Sequence, residues 1–229
     1  MRARMLAATG ALGLFGCALV VAPAAQATSH RLPPPVCHMV TDPPGDTQSV
    51  GPDDDTQLDI IGGDFAMNHT TLTVVIRVKA LTAEDLTEPA GRIYEYDFTA
   101  NGKNFIAMAS LLPGGSEFQA FISDQRIEQG KSGARAATGI GEMKGTLDLQ
   151  AHEVRMSAPL SIFTPYASFS QTNVDHFATF TYRAHGESLS GTQIGQVVDI
   201  STSVGIGVDD AWSTRVYRPY ARSCVKVGH

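Results

Sequence analysis

Charge, cysteine and helical periodicity are all scarce in this chain, and each shortage removes a class of protein. Only 17% of the 229 residues are charged, with 17 Lys and Arg against 23 Asp and Glu. An acidic chain without a basic run offers nothing to a nucleic-acid backbone or an anionic lipid surface, which both reward clustered Lys and Arg. Like-charge runs are short and 43% of residues are hydrophobic, which excludes a wholly disordered polypeptide. Missing too are a Gly-x-Ser-x-Gly elbow, a His-Glu-x-x-His zinc helix, a P-loop and a dinucleotide fingerprint. The seven histidines are scattered without metal-ligand spacing.

What is present starts with a leader. Arg2 and Arg4 precede an apolar, acid-free run from Met5 to Val21, and Ala25-Gln26-Ala27 supplies a small-residue cleavage pattern. Residues 1–27 therefore read as a signal peptide and Thr28 as the mature N-terminus, so the protein is expected to be secreted or held in the cell envelope. A permanent membrane anchor fits less well, because Gly10, Gly13, Gly16 and Pro23 interrupt the run. Lipid attachment at Cys17 is a further alternative, but Phe15 fits a lipobox poorly and the apolar run continues past Cys17. No transmembrane segment is expected once the leader is removed.

Leader cleavage leaves two cysteines, Cys37 and Cys224, one near each end of the mature chain. An even pair in an exported protein reads as a disulfide, here joining the termini. Closing so long a loop stabilises by about 5 kcal/mol in the chain-entropy treatment. No histidine base stands beside either cysteine in the sequence, so a catalytic thiol is not expected.

Residues 28–35 form a polar, proline-rich lead-in, and 36–229 read as one domain dominated by a period of two. In Thr71–Leu81, Leu72, Val74, Ile76, Val78 and Ala80 fall on one face. In Arg92–Ala100, Tyr94, Tyr96 and Phe98 alternate with Glu95 and Asp97, and Asn101-Gly102 then signals a two-residue hairpin into Lys103–Leu112. Further strands are expected over Glu117–Ser123, Gly145–Leu149, Glu153–Leu160, His176–Ala184, Ile194–Val204 and Thr214–Tyr217. About ten short strands with turn-rich breaks predict an all-β, jelly-roll-like antiparallel sandwich. One helical turn is expected at Thr82–Thr87, and connecting loops at Ser123–Glu142, Thr164–Asp175 and His185–Gln193.

Two sets of residues carry candidate chemistry. The first is acidic: Asp42 and Asp46 around Pro43-Pro44-Gly45, then Asp53-Asp54-Asp55, Asp59, and the distant pair Asp209-Asp210. Pro44-Gly45 suits the centre of a type II turn, which holds Asp42 and Asp46 at its two ends. Calcium takes six to eight hard oxygens, which carboxylates and loop carbonyls supply, so Ca2+ is the candidate ion and Asp42, Asp46, Asp59, Asp209 and Asp210 are its candidate ligands. A solvated acidic loop is the alternative, and no EF-hand spacing occurs. The second set is aromatic. Trp212, Tyr166 and Phe169 lie in or beside loops and are candidates for stacking on a sugar face, against the alternative of ordinary core packing. Asn68-His69-Thr70 reads either as a glycosylation sequon or as a turn.

The opening Asp42-Pro43-Pro44-Gly45-Asp46, then Leu58-Asp59-Ile60 and Thr71-Leu72-Thr73-Val74, resembles a pattern in a group of secreted actinobacterial proteins. The tail around Asp210-Ala211 and Ser223-Cys224-Val225 is similar to the end of the same group. More remotely, the opening resembles sandwich domains of the DOMON and family-nine carbohydrate-binding kind. That resemblance implies sugar, haem or calcium binding, although no haem-ligand pair is found here. The expectation is a non-enzymatic binding module for carbohydrate or another cell-envelope component. A secreted hydrolase using acidic loop residues, and an envelope structural or interaction protein, are the alternatives.

Overall fold

The computed structural model describes residues 37–47, 56–82, 91–112, 115–125, 136–169, 172–184, 194–195, 197–199, 205–219 and 225–226, all within the unit Leu32–His229. The leader, the lead-in, Cys17, Asp53-Asp54-Asp55, the expected turn beyond Thr82, the loop at His185–Gln193 and Cys224 lie outside the described residues. Among the described residues no helix is long and apolar enough to cross a membrane.

The molecule is all-β, with two antiparallel sheets layered face to face. In chain order the strands are β1 (Cys37–Thr41), β2 (Ile60–Met67), β3 (Thr71–Val78), β4 (Arg92–Ala100), β5 (Lys103–Leu112), β6 (Gly115–Ser123) and β7 (Ala136–Glu142). They continue as β8 (Lys144–Asp148), β9 (Glu153–Pro159), β10 (Val174–Ala184), β11 (Val197–Asp199), β12 (Gly205–Trp212), β13 (Arg215–Val216) and β14 (Val225–Lys226). The smaller sheet runs β1-β2-β3-β9-β8 and the larger β11-β7-β6-β5-β4-β10-β12, while β13 and β14 pair separately.

Local chemistry explains the connections. Asn101 and Gly102 both take positive φ, 54° and 72°, as a type I′ hairpin requires, and Ala100 pairs with Lys103 across it. The Asn68 carboxamide oxygen accepts the amides of Thr70 and Thr71, each at 2.8 Å, which makes Asn68-His69-Thr70 the turn between β2 and β3. Asp148 caps the β8–β9 turn by accepting the amides of Gln150 and Ala151.

Between the sheets lies one apolar core. Leu72, Val74, Ile76 and Val78 of β3 face Tyr94, Tyr96 and Phe98 of β4, as the alternation predicts. Phe65 is the hub, with ring centroids 5.1 Å from Phe98, 5.2 Å from Phe177 and 5.0 Å from Tyr217. Gly63 faces the same core, where a Cβ would stand 2.8 Å from the Tyr96 ring and 3.3 Å from the Val75 carbonyl oxygen. The absence of a side chain there lets the sheets approach.

The structure departs from the sequence pattern in five places. The strands β1 and β2 form over stretches where the sequence pattern marks no strand. Ser123–Glu142, read as a loop, contains β7. Within Ile194–Val204 only Val197–Asp199 is described as strand, and β12 lies beyond it. Phe169 is not at the surface: it is 1% exposed and packs on Phe98, Phe105 and Phe163. Finally, β4 is buried along its whole length on both faces. Ile93, Ile106, Met108, Phe121 and Ala137 form a second apolar cluster away from the inter-sheet core, and Glu95 and Asp97 are buried as well. Burial pushes the Asp97 carboxyl well above the usual carboxylate range, against a hydrogen bond from the Asn104 carboxamide at 3.2 Å.

Two substitutions test this packing. Phe65→Ala should destabilise by about 3–5 kcal/mol, the cost of emptying a closed aromatic site. Gly63→Ala should cost about 1–3 kcal/mol by pressing a methyl onto Tyr96 and the backbone behind it. Urea unfolding measures both, and an unchanged midpoint for either variant would contradict the packing described.

Candidate functional site

The candidate site is built on β12, an edge strand of the larger sheet. Its register on β10 sets Thr181 opposite Asp209, Phe180 opposite Asp210 and Ala178 opposite Trp212. Successive side chains of a strand point to opposite faces. Asp209 therefore shares the inner face with Thr181, while Asp210 and Trp212 share the outer face with Phe180.

On the inner side, the loop joining β1 to β2 meets Asp209. Its Pro44-Gly45 turn has Gly45 at φ 92°, the left-handed value that the second central residue of a type II turn demands. The Gly45 amide donates to Asp59, at 3.0 Å to Oδ1 and 2.9 Å to Oδ2. Asp59 is itself fixed. Its carboxylate lies 3.3 Å from the Lys79 ammonium and its carbonyl accepts the Lys79 amide at 2.8 Å. The residues before it are clipped to the larger sheet, the Thr181 hydroxyl donating to the Leu58 carbonyl at 2.6 Å and the Tyr94 hydroxyl to the Gln57 carbonyl at 3.1 Å. Asp209 closes the arrangement by accepting the Ile60 amide on Oδ2 at 2.7 Å and the Asp210 amide on Oδ1 at 2.9 Å.

The result brings Asp42, Asp46 and Asp209 together, with one oxygen from each lying within 4.8 Å of the others. Asp59 is occupied as the clamp of the turn, and Asp210 faces away toward Trp212. The five acids singled out in the sequence thus divide into three converging carboxylates, one structural anchor and one outer-face group. Among the described residues, no Lys, Arg or His pairs with the three. Asp42 Oδ2 is shut off from solvent and has no hydrogen-bond partner.

Such crowding has an electrostatic consequence. Burial pushes the Asp42 carboxyl up to about 7, and the charges of Asp209, Asp46, Asp210 and Asp59 add to it. Burial likewise raises Asp209 to about 6, with the amides of Ile60 and Asp210 opposing and Asp46 and Asp59 reinforcing. Near neutral pH the cluster favours a positive charge, either a proton or a hard cation. Calcium fits by size: oxygens on opposite sides of a Ca2+ ion stand about 4.6–5.2 Å apart.

On the outer side, the half-buried Trp212 ring meets Phe180 edge to face, centroids 5.2 Å apart and planes at 86°. Phe180 stacks on Tyr182 at 6.4 Å, and the Trp212 indole N–H donates to the Asp210 carboxylate. The sequence pattern singles out Trp212 but not Phe180, although the alternation Ala178, Phe180, Tyr182 already placed those residues on one strand face. Tyr166 is 42% exposed on the turn following β9 and joins no ring contact with Trp212 among the described residues. The buried Phe169 cannot reach a ligand at all. Comparison with family models, with curated proteins and with solved structures finds no match to this chain.

The raised carboxyls fix the sign of a pH effect. A group that holds its proton better when folded stabilises the fold below its unfolded value of 3.8, and that advantage is lost as pH rises through about 6 and 7. Between pH 5 and 8 the melting temperature without metal should therefore fall, and millimolar calcium should restore it. Asp42→Asn should flatten both responses. Scanning calorimetry across that range, with and without EDTA, is the check.

Proposed function

We propose that the chain is an exported, non-catalytic carbohydrate-binding module whose aromatic ligand edge is held in place by calcium. One observation carries the reading. Asp209 and Asp210 are consecutive on β12, one entering the carboxylate cluster and the other bonded to Trp212.

Each half has chemistry suited to its task. The flat Trp212 ring, braced by Phe180, offers a π-face to the C–H side of a sugar, and the adjacent Asp210 carboxylate accepts hydroxyl hydrogens. A cation among Asp42, Asp46 and Asp209 relieves their repulsion and ties the loop between β1 and β2 to β12. Because Asp209 also holds the Ile60 amide, the ion braces the edge from which Trp212 projects. The remote resemblance of the opening to carbohydrate-binding sandwiches points the same way. Export rests on the leader pattern, and it favours a Cys37–Cys224 disulfide. The bridge is further supported by Arg215 of β13 donating to the His38 carbonyl beside Cys37, and by the pairing of Val225 with Val216.

Trp212 is the sole tryptophan, so its emission reports on this edge alone. Calcium titration should shift that emission, and Asp209→Asn should abolish the shift. Binding to a glycan array should depend on calcium and disappear in Trp212→Ala, a half-buried substitution that leaves the core intact. An emission unmoved at millimolar calcium would remove the metal. Glycan silence in the calcium-loaded protein would remove the ligand class. In the exported protein, non-reducing peptide mapping should find Cys37 linked to Cys224, and free thiols at both would rule the bridge out.

A further inference from the structure

The Trp212 edge carries charge as well as shape. Asp210 is exposed on the same outer face of β12, and its carboxylate accepts the Trp212 indole N–H. Among the described residues no Lys, Arg or His pairs with Asp210. More negative charge stands behind it. Asp209 is the preceding residue of the strand, and Asp42 and Asp46 converge on Asp209 from the loop. Charge on the two faces is felt across the strand, since Asp210 is one of the groups that raise the Asp42 carboxyl. A divalent ion cannot cancel three carboxylates, so the edge stays negative with calcium in place.

Position matters as much as sign. A sugar stacked on an indole turns its axial C–H bonds to the ring and sends its equatorial substituents outward around the rim. The Asp210 carboxylate, bonded to the indole N–H, lies at that rim. It therefore meets an equatorial group of a stacked sugar and not the stacked face. Phe180 is buried and meets the indole edge to face, so it holds the platform in place without adding a second one.

Three kinds of equatorial group can arrive there. A carboxylate or sulfate is repelled by Asp210 and by the acids behind it. A hydroxyl donates one neutral hydrogen bond. An ammonium donates a charge-assisted one, roughly twice as strong, and is drawn in by the same field that turns anions away. One residue thus supplies both the attraction and the repulsion on which specificity depends. We infer that the Trp212 edge selects sugars bearing a free amino group, hexosamines whose nitrogen is not acylated, and rejects uronic and sulfated sugars. The inference rests on the carbohydrate reading above and narrows its substrate class.

Calorimetric titration of the calcium-loaded chain with three oligomers of equal length tests this: glucosamine, N-acetylglucosamine and galacturonic acid. At low salt, and just below neutral pH so that the sugar amine is protonated, the glucosamine oligomer should bind about tenfold more tightly than its acetylated counterpart. The uronic oligomer should not bind. Raising sodium chloride should shrink the preference. Asp210→Asn, whose carboxamide oxygen still accepts the indole N–H, should erase the preference and leave N-acetylglucosamine binding in place. Asp124→Asn removes a carboxylate that is 83% exposed and pairs with Lys103 near the β4–β5 hairpin, and it should change nothing. Equal affinity for the first two oligomers overturns the amino-sugar preference while the carbohydrate reading stands. So does a preference that survives in Asp210→Asn, or one that falls equally in Asp124→Asn and so reflects overall acidity alone. Silence toward all three oligomers removes both readings.

Discussion

The bond from the Ile60 amide to the Asp209 carboxylate joins the first residue of β2, in the smaller sheet, to the last long strand of the larger one. Buried amides and carboxylates are costly to leave unpaired, so this contact constrains both edges together. It sets where β12 ends up relative to the loop carrying Asp42 and Asp46. Through the alternation of a strand it also sets where Trp212 and Asp210 point. The acidic cluster and the aromatic edge are two consequences of one constraint.

The sandwich around this tie is asymmetric. The smaller sheet meets water through a charged network, in which the fully buried Asp64 is held by Arg77 and His38 and Glu153 by Arg77 and Arg155. The outward face of the larger sheet is unlike it, because the inner strand β4 is buried there too and carries Glu95 and Asp97 among apolar neighbours. Its two margins differ again: aromatic at β12, acidic and open at β6 and β7. A single period-two pattern thus produces faces of three chemical kinds, depending on what stands opposite each strand.

Much of the fold was legible because short-range physics controls it. Leu72, Val74, Ile76 and Val78 can bury only on one face of a strand, and Asn101-Gly102 admits few backbone conformations other than a tight hairpin. Gly45 took the positive φ that its place after Pro44 implies. The strand β7 was missed because Ala136–Glu142 holds two glycines and only one large apolar residue, Ile140, and so lacks an alternating signature. Phe169 was misplaced because a hydroxyl-rich neighbourhood looks like a surface loop. In the fold that segment turns back over the end of the core, and its aromatic ring is drawn inside.

By itself the sequence determined the layered all-β architecture, the main strand faces and the turns, since each depends on residues close together in the chain. It also named most members of the candidate site. The tertiary structure alone decided how they divide: Asp42, Asp46 and Asp209 converge, Asp59 anchors a turn, and Asp210 turns outward to Trp212. It alone showed that Glu95 and Asp97 are buried and that Glu117, Gln119 and Glu142 line one cleft. The reason is sequence separation. Carboxylates more than a hundred residues apart become neighbours only through strand register and the tie between sheets, and no local preference encodes either.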